Sequence, residues 1–282
     1  ISLGLVGSEM CIRDRNRSEI FLVMVSGMGT IAGSVMGTYI GMLGGTDPAA
    51  KVLFATHLLS ASVMAVPGSI VLAKMLCPQT EEATDHVAIS GKEKENSNIL
   101  DAISSGTVTG VKLMTNIAAM LLVFISLVAL ANYITEGVIG RYTGLNDWIV
   151  KITDGNAQGL TFQFILGVIT SPFMWLIGVP SQDIMLVGSL LGQKTILNEF
   201  VAYFQLQQWK DAGLFMYEKS ILMSTYILCG FANISSIGIL LGGLGVLAPE
   251  KRGLISRIGL PAMIGGALVS VLSATIILSL IH

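Results

Sequence analysis

The sequence predicts an all-α polytopic membrane protein with broken transmembrane helices and a re-entrant hairpin, and three observations predict it. Of its 282 residues, 52% are hydrophobic and 12% charged, against ~25% charged in an ordinary soluble domain, and mean hydropathy is +0.75. Several runs carry no charge for long enough to cross a hydrocarbon core of ~30 Å. Finally, the stretch 188–203, G-S-L-L-G-Q-K-T-I-L-N-E-F-V-A-Y, places Lys194, Asn198 and Glu199 in an otherwise lipid-compatible sequence. A charge at bilayer depth costs at least ~2.5–3.5 kcal/mol, so such residues normally face a protein interior or a water-filled cavity on a solute or ion pathway.

Taken in order, the first fifteen residues, I-S-L-G-L-V-G-S-E-M-C-I-R-D-R, read as a non-native N-terminus and stay outside the fold argument. Ile20–Thr46 is an uncharged span in which Gly29, Gly33, Gly37, Gly41 and Gly45 recur every fourth position, predicting a face open to close backbone approach. Gly27 beside Gly29 predicts an unwound point over Met28–Ile31. Val52–Ala73 is the next span; Pro67 kinks it and His57 packs within it or at an interface. Residues 78–98 are polar and mostly acidic, a solvated loop, followed by an amphipathic segment near 99–111.

Leu113–Thr135 is a Leu/Val/Ile-rich span without charge that reads as scaffold, and Arg141–Asn156 is an extramembrane connection with Trp148 at an interface. In Gly159–Pro180, Pro172 divides the run into halves too short to span alone; an interfacial or re-entrant helix and a full span both remain open. Ser181–Trp209 reads as a hairpin interrupted at Gly192, with its tip near Gly192–Asn198. Each half is about a dozen residues, or ~18 Å of helix, and non-helical backbone survives at that depth only where protein or water satisfies it. Ser220–Pro249 is a broken span centred on Gly230, Asn233, Ser235 and Ser236, because Asn and Ser are poor in helix interiors unless their polar groups have a use. Ile258–Ile281, with Pro261, is the last span. The total is about five spans plus the hairpin. Arg15, Arg17, Lys251, Arg252 and Arg257 mark the cytoplasmic side of a multi-pass protein of the cell membrane.

A net charge of −2 without a basic stripe excludes nucleic acid as a partner. Three isolated cysteines without ligand spacing predict neither a disulfide framework nor a zinc site. Glu199 is the one acid expected at membrane depth, so the paired acids, nucleophile–base pair or metal ligands of an enzyme are missing, and no cofactor is expected. Glu199 could alternatively form a salt bridge with Lys194 at the hairpin tip, and Asn233 or Ser236 could serve as glue between helices.

A shift of 203 residues lays G-M-G-T-I-A-G (27–33) on G-F-A-N-I-S-S (230–236), Thr30 on Asn233 and Ile31 on Ile234. Both stretches lie mid-span, and each precedes a proline-bearing span. Paired broken helices in two halves of a chain point to the midplane site of an inverted-repeat transporter.

These residues also carry a family resemblance. G-Q-K-T-I-L-N-E-F-V-A-Y (192–203) resembles the concentrative nucleoside transporter signature G-x-K-x-x-x-N-E-F-V-A-Y at every fixed position. G-F-A-N-I-S-S-I (230–237), T-I-A-G-S-V (30–35) and A-S-V-M-A-V-P (61–67) are similar to further parts of that family. The resemblance covers roughly residues 16–282 and implies a sodium-coupled nucleoside importer that forms a homotrimer and moves its transport domain in an elevator-like way. It implies that Glu199, Asn233 and Ser236 bind ribose with Phe231 close by, that Val35 lines the nucleobase, and that the Thr30 hydroxyl and Ile31 carbonyl are sodium ligands. The family's first hairpin, with its Gln-Thr/Ser-Glu cluster, is missing upstream of Arg17, so the 282-residue chain alone is not expected to transport. A proton-coupled permease and a non-accumulating nucleoside channel or binding protein stay open as alternatives.

Overall fold

The computed structural model describes residues 15–80, 99–153 and 158–280. The expected non-native stretch, apart from Arg15, and most of the acidic loop at 78–98 lie outside the described residues. Every regular element described is helical: α1 (Arg17–Gly29), α2 (Gly33–Gly44), α3 (Pro48–Leu76), α4 (Ile99–Asn132), α5 (Leu145–Ile152), α6 (Phe162–Leu176), α7 (Ile184–Ile196), α8 (Glu199–Asp211), α9 (Glu218–Leu228), α10 (Ile234–Leu247) and α11 (Arg252–Leu280). They form two compact units, 88–162 within one and 8–87 with 163–282 within the other.

In the smaller unit, the separate amphipathic segment and span expected before 135 are one helix. α4 runs 34 residues, ~51 Å at ~1.5 Å per residue, because no proline interrupts it and hydroxyls along it bond back into the helix. Thr107 and Thr115 donate to the carbonyls of Ile103 and Val111, each four residues back. A π-helical stretch, Tyr133–Gly140, follows. Asn146 closes this end by donating to the Glu136 carbonyl at 2.9 Å and accepting from the Leu160 amide at 2.9 Å.

In the larger unit, α11 packs against α1, α3, α9 and α10. α1 starts with a capping box: the Asn16 side chain accepts from the Glu19 amide while the Glu19 carboxylate accepts from the Asn16 amide. α3 starts on the Asp47 cap with Pro48 at its first position and continues through Pro67. Among the described residues, two helices are long and apolar enough to cross a membrane, Pro48–Leu76 and Pro249–Leu280. Val35–Gly44, Phe162–Leu176, Ile184–Ile196 and Ile234–Gly245 are shorter apolar pieces, the lengths that broken spans produce.

Both expected breaks are present. α1 stops at Gly29, Thr30 is extended, and α2 restarts after Ala32; α9 stops at Leu228 and α10 restarts after Asn233. Three expectations are corrected. The break parts Gly29 from the later glycines, so the four-residue repeat is not one helix face; a Cβ on Gly33, Gly37 or Gly41 would meet nothing within 4 Å. Pro172 does not divide its segment, since α6 continues through it; at 15 residues the helix is ~22 Å long, too short to span. Gly192 does not interrupt the hairpin either: it lies inside α7, where a Cβ would sit 2.6 Å from Leu166 Cβ. Its lack of a side chain lets α7 approach α6, and the interruption falls at Leu197–Asn198.

Candidate functional site

The site is assembled from three chain interruptions. At the hairpin tip, Leu197 leaves helical geometry and Asn198 caps α8, its side chain accepting from the Val201 amide at 2.9 Å. Asn198 therefore has a structural use. Glu199 is the first residue of α8, 5% exposed, at a helix end whose dipole favours negative charge.

Asn233 meets it from the second break. It caps α10 and is buried. Its Nδ2 donates to Glu199 Oε2 at 2.8 Å, while its Oδ1 accepts from the Ser236 amide at 2.9 Å, Ser236 Oγ at 3.0 Å and Ser235 Oγ at 2.6 Å. These donors fix the amide: its oxygen faces the start of α10, and its nitrogen can only face the carboxylate. The carboxylate thus lies between the N-terminal ends of two helices. The structure brings Glu199, Asn233 and Ser236 into one network, and Ser235 joins it.

Ile31, Val35 and Phe231 belong to one apolar cluster with Tyr39, Tyr203 and Leu228, Ile31 buried and the other two of the site residues partly so. Tyr39 stacks on Tyr203 with ring centroids 4.0 Å apart. Its buried hydroxyl stands beside the Glu199 carboxylate. Nothing in the local sequence around Tyr39 signals this placement.

Thr30 lies at the first break, its hydroxyl donating to the Ser26 carbonyl at 2.9 Å. Its proton is thereby committed and its lone pairs remain for a cation. The two breaks are in contact: Gly230, at φ +129, faces the end of α1 so closely that a Cβ would sit 2.9 Å from the carbonyl oxygens of Met28 and Gly29. No other residue type satisfies both that backbone angle and that approach.

Lys194 does not pair with Glu199. Its ammonium, fully buried, donates to the Ile227 carbonyl at 2.8 Å and to Ser270 Oγ at 3.0 Å, and the Ser270 hydroxyl donates to the Cys229 carbonyl at 2.6 Å. Asp183 is a second buried acid that the sequence reading overlooked. Its two oxygens accept from the amides of Met216 and Tyr217 at 2.9 and 3.2 Å, so it pins the start of the hairpin to the approach to α9. His57 packs against Tyr226, Nδ1 3.0 Å from the phenol oxygen.

Chemically, the network presents acceptors to a ligand rich in hydroxyls: a carboxylate anchored through one oxygen, and a serine hydroxyl whose lone pairs are available. Partly buried apolar side chains beside it suit a flat ring.

Known proteins resemble this chain in sequence and fold. Residues 57–277 match the family model described as the C-terminus of Na+ dependent nucleoside transporters. An uncharacterised transporter of Haemophilus influenzae is 39% identical over 268 residues, covering 94% of this chain and 59% of that protein. Sodium/nucleoside cotransporter 1 of Rattus norvegicus is 38% identical over 279 residues, covering 94% of this chain and 40% of the rat protein. Among solved structures, the transporter CNTnw in an inward-facing substrate-bound state superposes with a TM-score of 0.76 at 36% identity, over 94% of this chain and 57% of that one. A CNTnw variant in an intermediate state superposes with a TM-score of 0.80 at 36% identity, over 95% of this chain and 60% of that one. The chain therefore spans between two fifths and three fifths of the length of these relatives. With a family model matched over most of its length and helices that superpose on solved members, the chain belongs to the concentrative, Na+ dependent nucleoside transporter family.

Proposed function

We propose that this chain is the nucleoside-binding region of a sodium-coupled nucleoside symporter that imports its substrate across the cell membrane by alternating access. The observation that carries the reading is the buried contact between Glu199 and Asn233, 2.8 Å long, formed where the hairpin tip meets the second break. Glu199 and Ser236 accept from the ribose hydroxyls, Asn233 orients the carboxylate and completes the polar wall, and Phe231 and Val35 line the apolar side against the sugar and base. Hydrogen bonds to a charged group are worth ~1.5–3 kcal/mol each, enough for a dry carboxylate to discriminate a ribose from a sugar lacking hydroxyls.

Sodium enters as co-substrate at the first break. The Thr30 hydroxyl and Ile31 carbonyl are its ligands on this chain, joined by oxygens from elsewhere in the whole protein. Hard oxygen ligands and the carbonyl end of a half-helix suit such an ion. One sodium moving down a potential of 100 mV contributes ~2.3 kcal/mol; at ~1.4 kcal/mol per tenfold, that sustains roughly fortyfold accumulation. The related CNTnw has been observed in inward-facing, intermediate and outward-facing states, which supports alternating access here. A trimer held by a scaffold, with inverted repeats moving as an elevator, is the assembly in which this region operates.

The test is uptake of labelled uridine into proteoliposomes holding the full-length gene product. An inward sodium gradient drives accumulation above the outside concentration. Equal filling with and without the gradient contradicts sodium coupling and leaves the proton-coupled permease or the non-accumulating channel.

A further inference from the structure

The two breaks end their leading helices alike but stabilise those ends differently. The last carbonyls of a helix lack intrahelical partners and together carry roughly half a negative charge. At the second break these are met by a cation of the protein itself. The Lys194 ammonium donates directly to the Ile227 carbonyl, and through Ser270 it reaches the Cys229 carbonyl one residue past the end of α9. Among the described residues Lys194 is the one buried cation, so the end of α1 has none; it has the Thr30 hydroxyl and the backbone of Gly230. Burying an ammonium costs several kcal/mol even after relaxation, and a leucine or methionine would fill the volume without that cost. The ammonium ties three elements together: α7, which leads into Glu199; the end of α9, which leads into Asn233; and α11.

We propose that Lys194 is the tethered cation of the second break, a positioning residue doing for the end of α9 what diffusible sodium does for the end of α1. It aligns Asn233 with Glu199 and, by occupying the cation position there, confines the coupling ion to the first break. This inference rests on the symporter reading.

Uridine binding to the full-length protein in detergent, measured against sodium concentration, tests it. Lys194→Met keeps the volume and loses the charge, and Lys194→Ala opens space for a small cation. The expected result is that Lys194→Met binds uridine at least about tenfold more weakly, the loss of a charge-assisted hydrogen bond. Lys194→Ala regains affinity on addition of methylammonium, or with a steeper sodium dependence than wild type. Lys194→Met within twofold of wild type overturns the proposal, as does Lys194→Ala that neither cation restores. Should both fail to assemble, Ser270→Ala leaves the ammonium one partner short; affinity several-fold weaker supports the proposal, and unchanged affinity overturns it. Wild-type protein that binds no uridine at any sodium concentration contradicts the symporter reading itself and the inference with it.

Discussion

The break between α1 and α2 and the break between α9 and α10 are built from similar sequence and present different chemical groups. In the first, the interrupting residues Thr30 and Ile31 offer a hydroxyl and backbone oxygens and no charge. In the second, Asn233 turns its amide nitrogen onto Glu199 at 2.8 Å while its oxygen caps α10. With Thr30 and Asn233 at matching positions, the first break presents neutral oxygens and the second an amide donor to a buried carboxylate. Gly230 lies close against the end of α1, so the two breaks pack directly on one another. The comparison teaches that a shared interruption gives both halves exposed backbone ends, and that single side chains decide what those ends hold.

Substitutions at three positions sharpen or break this comparison. The largest effect is expected from Glu199→Gln, which keeps the shape and removes the charge. Two charge-assisted bonds to ribose at ~1.5–3 kcal/mol each are weakened, so uridine uptake falls at least about a hundredfold while the protein elutes as an intact assembly on size-exclusion chromatography. Next, Asn233→Ala removes both the carboxylate's partner and the α10 cap. It weakens uridine binding about tenfold and lowers the melting temperature, since losing a cap costs ~0.5–2 kcal/mol. Asn233→Ser retains the cap, so its melting temperature stays nearer wild type while its affinity falls as far as that of Asn233→Ala. Equal melting losses in the two variants would show that the site network, not the cap, holds this end. The smallest effect belongs to Thr30. Thr30→Val raises the sodium concentration for half-maximal uptake several-fold, leaves uridine affinity at saturating sodium unchanged, and is rescued by Thr30→Ser. A Thr30→Val protein with normal sodium dependence removes that hydroxyl from the cation site.

Much of this was legible in the sequence, and the parts that were not share a physical cause. Helix interruptions announce themselves locally: Gly27 and Gly29 before Thr30, and Gly230 with Asn233 in an apolar run, lower helix propensity where the structure breaks. The Glu199 position was legible because a carboxylate in an oily segment demands a reason. Gly192 misled because a glycine signals backbone freedom and close packing with the same letter, and here it packs against Leu166. Polar residues in 99–111 suggested a separate segment, yet hydroxyls that bond back to their own helix leave α4 unbroken. The partners of Lys194 were out of reach: Ser270 is 76 residues away, and no periodicity links a lysine to a carbonyl on another helix. Tyr39 was missed likewise, its place beside Glu199 set by stacking on Tyr203.

The central claim is that a carboxylate is kept in a buried site to grasp a sugar. Its most direct test compares uridine with 2′,3′-dideoxyuridine for binding to the wild-type full-length protein at saturating sodium. With the contacted hydroxyls gone, two charge-assisted bonds are lost, and the account predicts that the dideoxy compound binds at least about a hundredfold more weakly. Affinities within threefold of one another would mean that Glu199 and Asn233 do not hold the ribose, and would contradict the account.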